Sequence, residues 1–272
     1  MGPLVAALRE ALLTAWHALL AIVRARHSLI MLSAIVLIML WGTHGNVELL
    51  GFLVPGWVGQ GGPANRTVLI PGLPWDQEWL SFGLGALLLV LIPCAIVRFG
   101  FGERLRDYGL AGPKPGQWSF TLGSSLALSL FAYPSMYIAS KSESMRALYP
   151  LYRHLTSARD FVLFELGYFV FFLAIEFMFR GYLLLGLYGA HEPNGTKLAR
   201  ETQDPPLLNH YSIVVSMLSY TAWHLGKPLP ELWSTPVWGI AAGAIVLRSG
   251  TIWPIVLIHW SMNVLFDYLA WR

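Results

Sequence analysis

From Leu80 to Val97, and again from Trp118 to Ser140, the chain carries no charged residue. A helix needs about 20 mostly apolar residues to cross a bilayer, so each run reads as a membrane span. Pro205–Tyr220, Leu232–Leu247 and Ser249–Phe266 repeat the pattern, interrupted only by His210 and His259. Ser28–Gly42 is strongly apolar, and Phe161–Ala190 is long and apolar but holds Glu165, Glu176 and Arg180. These runs predict an all-α, polytopic transmembrane helix bundle of about seven to eight spans, the eighth arising if Ala11–Val23 enters the bilayer.

Composition agrees. Hydrophobic types make up 56% of the 272 residues and charged types 12%, against roughly 25% charged in a soluble domain. A cytosolic enzyme, a disordered chain and a nucleic-acid binder are all excluded. The net charge of +3 is scattered between apolar runs and fits loop positions near the membrane. Cys94 is the only cysteine and sits in an apolar setting that predicts buried packing.

Residues 1–27 bracket a short apolar stretch with Arg9, Glu10, Arg24, Arg26 and His27. They lack the small-residue cleavage pattern of a signal peptide and read as an amphipathic interfacial segment. Residues 28–272 read as a single transmembrane domain. Val54–Trp79 is a Gly/Pro-rich loop, and Gly189–Asn209 is the most polar stretch. The Gly239–Gly243 spacing suits close helix packing.

Ionised side chains inside a bilayer are costly and need a partner or a function. Glu176 and Arg180 lie four apart, on one helical face, with the Glu on the favoured N-terminal side. A self-compensating ion pair explains why they are tolerated. It does not explain His224 at the end of one apolar run, or His259 and Asn263 four apart on another. Together these groups suit a water-filled cavity. A carboxylate with an imidazole polarises water, and a second imidazole with a carboxamide donates to a developing oxyanion. Glu165, near the start of its helix, reads as an interfacial charge at headgroup depth.

At these residues the chain resembles the CPBP intramembrane proteases, the family of CAAX prenyl endopeptidases and bacteriocin-processing or immunity proteins. Its first motif is two glutamates, three residues and an arginine; here it runs Ile175-Glu176-Phe177-Met178-Phe179-Arg180. The second, Phe and three residues before His, matches Tyr220 to His224. The third, His and three residues before Asn, matches His259 to Asn263. The resemblance covers residues 161–266 and implies a catalytic core there. Ile175 stands where the family carries its first glutamate, which the family picture pairs with the second-motif His to activate water.

The resemblance implies an intramembrane endopeptidase of the glutamic type, acting on membrane-tethered or lipidated protein or peptide substrates. Glu176 is expected as general base assisted by His224, His259 and Asn263 as the oxyanion site, and Arg180 as the group that neutralises and orients Glu176. No cofactor and no metal are expected, since the HExxH spacing is absent. The expected location is a bacterial inner membrane, as a multi-pass protein. A catalytically inactive membrane scaffold or immunity protein is the alternative favoured by Ile175. A proton-coupled transporter is a further one, opposed by the lack of repeated halves.

Overall fold

Each uncharged run becomes a helix because only helices satisfy every backbone group without water. The computed structural model describes residues 3–44, 68–70, 73–75, 77–151, 155–188 and 207–271. In chain order these give helices α1 (Pro3–Arg24), α2 (Arg26–His44), α3 (residues 77–100), α4 (Trp118–Ala139) and α5 (Glu143–Leu148). They continue with α6 (Ala158–Leu185), α7 (Leu207–Trp223), α8 (Leu229–Ser249) and α9 (Trp253–Trp271). Within the expected Gly/Pro-rich loop, Val68–Ile70 and Leu73–Trp75 pair as a short antiparallel hairpin. Residues 45–67 of that region, and 189–206 of the polar stretch, lie outside the described residues.

Three of the described helices are long and apolar enough to cross a membrane: Ser81–Gly100, Trp118–Ala139 and Ala158–Leu185. Helices α8 and α9 have comparable lengths, 21 and 19 residues, but carry the polar groups described below. The architecture is an all-α bundle of membrane type.

Helix α6 is the central element. From Phe177 to Leu185 every residue is buried, among them the main hydrophobic cluster's Phe177, Met178, Phe179 and Leu184. Helix α4 is peripheral, with Leu122, Leu126, Leu130 and Ile138 exposed, as a lipid-facing helix would be. Tyr133 on α4 bonds to Ser261 on α9 at 2.7 Å. The Gly239–Gly243 spacing has the packing role expected of it. A Cβ at Gly239 would lie 2.8 Å from Met217 Cγ, so α7 and α8 approach there more closely than a side chain allows. Cys94 is only half-buried. In α1, Val5, Leu8, Leu12, Trp16 and Leu19 are exposed and recur at helical spacing on one stripe.

Two features are not regular α-helix. Pro93 lies between π-helical segments Leu87–Leu91 and Ile96–Gly100. Helix α6 widens into a π-helix directly after Glu176, over Phe177–Leu185. Such wide turns are rare and cluster at functional sites. This one contains Arg180.

Candidate active site

Glu176 closes the α-helical part of α6, and Arg180 lies on the wide turn that follows. Both are fully buried, with Arg180 Nε 3.3 Å from Glu176 Oε2. The guanidinium lies over the Tyr220 ring, 4.1 Å from its centroid. Nearby charge and an aromatic face thus replace the water an exposed arginine would have.

The other carboxylate oxygen of Glu176 is shared by two helices. His259 Nδ1 on α9 lies 2.6 Å from Oε1. Trp238 Nε1 on α8 donates to the same oxygen at 3.2 Å. The His259 ring packs between Phe172 and Trp238, with centroids 4.5 and 4.9 Å away. With Nδ1 held by the carboxylate, Nε2 is the nitrogen left for other work.

His224 follows the last residue of α7 and is 5% exposed. Its Nδ1 donates to the Tyr220 carbonyl at 2.8 Å. Nε2 faces Glu231 Oε1 at 3.7 Å. Glu231 stands in the first turn of α8 and accepts from the Tyr149 hydroxyl at 2.9 Å. Burial, then the neighbouring Glu231 carboxylate, pushes the Tyr149 hydroxyl well above its ordinary pKa, so it stays a neutral donor. Asn263 Nδ2 donates to the His259 carbonyl one turn back, at 2.8 Å. This leaves its second N–H and its amide oxygen.

A cavity of 970 Å³ runs between α4, α8 and α9, and His224, Glu231, His259 and Asn263 all line it. Glu176 and Arg180 are not among its lining residues. The five expected residues therefore divide. Two histidines and the asparagine meet the cavity, while the ion pair sits behind His259. The expectation that Glu176 shares one water-sized site with the others is corrected here, because its oxygens are turned to His259, Trp238 and Arg180.

Glu165 also departs from expectation. It is 3% exposed, and its carboxyl lies against that of Asp267, fully buried on α9. Glu165 on α6 and Asp267 on α9 thus pair inside the bundle and not on its surface. Trp238, Glu231, Tyr149 and Asp267 had not been singled out from the sequence. A charge near the end of the last apolar run was the one available signal, and it pointed at Asp267. Among the described residues no three His, Cys, Asp or Glu side chains gather as metal ligands would.

A membrane-type helical bundle with a carboxylate–imidazole pair behind an internal cavity fits an integral membrane protein. Residues 157–265 match the family model of the type II CAAX prenyl endopeptidases, Rce1-like, so this part of the chain is similar to that protease family. The match takes in Glu176, Arg180, His224, His259 and Asn263. Neither the curated proteins nor the solved structures gave a match.

Proposed function

We propose that the protein is an intramembrane endopeptidase that hydrolyses peptide bonds of membrane-tethered or lipidated substrates, in a bacterial inner membrane. One observation carries the reading: two histidines from different parts of the chain meet one cavity with their Nδ1 atoms held by unlike partners, a neutral carbonyl and a carboxylate. His224 gives its Nδ1–H to a neutral carbonyl, which leaves Nε2 free to accept a proton. His259 is held at Nδ1 by a carboxylate, which fixes its ring and leaves Nε2 for the substrate. Two imidazoles held by unlike partners can divide the base and the electrophile roles of a hydrolysis.

In this reading His224 accepts the proton of the attacking water. His259 and Asn263 donate to the oxyanion. Glu176 acts through His259, in place of the general-base role its motif position suggested. Arg180 balances and orients Glu176. Helix α1 lies along the membrane surface, with Leu8, Leu12 and Trp16 toward the lipid.

The test is cleavage of a farnesylated CAAX peptide by the purified protein in lipid nanodiscs, with products read by mass. His224→Ala should abolish cleavage, and Asn263→Ala should lower kcat on the order of 10²–10³-fold. A wild-type protein that leaves the peptide intact would favour the second reading, a catalytically inactive scaffold, to which Ile175 lends support.

A further inference from the structure

Glu231 reaches the site from α8, a helix that carries none of the motif residues. A glutamate in a first turn ordinarily complements the helix dipole, and Lys227, just before the helix, lies 3.8 Å away. Neither role requires its position. Its side chain is 16% exposed, its Oε2 is buried without a hydrogen-bond partner, and it lines the cavity beside His224.

The contact between the two is informative in its length. His224 carries its proton on Nδ1, bonded to the Tyr220 carbonyl, so Nε2 and Glu231 Oε1 are both acceptors. Two acceptors 3.7 Å apart do not bond each other. A single water about 2.8 Å from each can donate one O–H to each, which leaves its lone pairs directed away from both. Glu176 cannot hold that water, since it is fully buried and bonded to His259 and Trp238.

From this geometry we infer that Glu231 is a catalytic carboxylate, holding and polarising the attacking water together with His224. The inference rests on the hydrolase reading above. The water oxygen bonds to the scissile carbonyl carbon, and one water proton passes to His224 Nε2. The carbonyl π pair moves onto oxygen, facing His259 and Asn263. As the carbonyl re-forms, the C–N bond breaks and the leaving amine takes the proton from His224 Nε2. The new carboxylic acid gives its remaining proton to solvent. Tyr149 fixes Glu231 throughout by its 2.9 Å hydrogen bond.

The experiment uses the full chain in nanodiscs with two fluorescence-quenched probes, a farnesylated CAAX peptide and the same peptide without the lipid. Glu231→Gln keeps the side-chain shape and the Tyr149 bond. It should lower kcat on the order of 10²-fold, with KM little changed. Glu231→Asp should recover part of that loss, and Glu231→Asn, of the same length without charge, should not. If both groups hold one water, the Glu231→Gln/His224→Ala double variant should be no slower than the slower single variant. A Glu231→Gln protein with kcat within about threefold of an active wild type overturns the inference alone. If Glu231→Gln does not fold, equal rates for the Asp and Asn variants overturn it. A wild type that cleaves neither probe overturns the hydrolase reading, and the role of Glu231 with it.

Discussion

His259 Nδ1 lies 2.6 Å from Glu176 Oε1, across 83 residues of sequence. The contact fixes the ring. A buried carboxylate flanked by an arginine and an imidazole holds the imidazole in one orientation. In the proposed hydrolysis, Nε2 is then the nitrogen left to meet the developing oxyanion.

Glu176→Gln tests this directly. The amide preserves size and can still accept from His259 Nδ1, so the bundle should insert and fold. Without the negative charge the contact that orients the imidazole weakens. Cleavage of a farnesylated peptide should fall on the order of 10²–10³-fold, mainly in kcat. Trp238→Phe removes only the 3.2 Å donor on the same oxygen. It should cost less, roughly tenfold, because His259 and Arg180 still hold the carboxylate.

Arg180→Ala strands the Glu176 carboxylate in the most buried part of α6 and removes the cation over Tyr220. Breaking one side of a buried pair costs about 3–5 kcal/mol. Thermal unfolding in detergent should show the loss as a lower Tm. Arg180→Lys should rescue poorly, since an ammonium cannot lie flat on the ring while its edge reaches the carboxylate. An Arg180→Ala protein with wild-type Tm and cleavage would show the pair to be dispensable.

The residues singled out from sequence share one property. Spacings of four place Glu176 with Arg180, and His259 with Asn263, on single helix faces, and a charge in an apolar run stands out without any packing information. Glu231 gave no such signal, because an acidic first turn is the ordinary state of a helix. Trp238 was one tryptophan among many that suit membrane interfaces. Its role depends on how α8 sits against α6, which no spacing within α8 reveals. Glu165 was misplaced for a related reason. Depth along the helix is legible in sequence, but whether that face meets lipid headgroups or Asp267 is decided by α9. The π-helical turn after Glu176 had no sequence mark either.

A second charged cluster holds the bundle far from the cavity. Arg26 forks onto Glu103, with Nε and Nη2 at 2.6 and 2.8 Å, while Nη1 donates to the Gly186 carbonyl and Nη2 also to Tyr108. This clamp ties the start of α2 to the connection after α3 and to the end of α6. Arg26→Ala leaves three acceptors without their donor and should destabilise by about 2–3 kcal/mol. Arg26→Lys should recover little of that, lacking the planar fork. The Tm of each variant in detergent is the measurement, and cleavage at low temperature should stay near wild type because the cluster does not touch the cavity.

Ile175 offers the sharpest separation between a working site and a decayed one. It occupies the place of the family's first glutamate, yet it is 1% exposed and part of the main hydrophobic cluster. Adjacent positions on a helix point about 100° apart, and its neighbour Glu176 is already engaged by Arg180, His259 and Trp238. If the protein is an active hydrolase, a carboxylate restored at position 175 has no partner waiting for it. Ile175→Glu should then lower Tm, by a cost on the order of 3–5 kcal/mol, and should not raise cleavage. Ile175→Leu, which keeps the apolar contact, should change stability by less than about 1.5 kcal/mol. The opposite result is equally clear to read. An Ile175→Glu protein that stays folded and cleaves a farnesylated peptide left intact by the wild type would mean that the chain is a former protease, kept for binding, whose missing carboxylate was the one thing its cavity lacked.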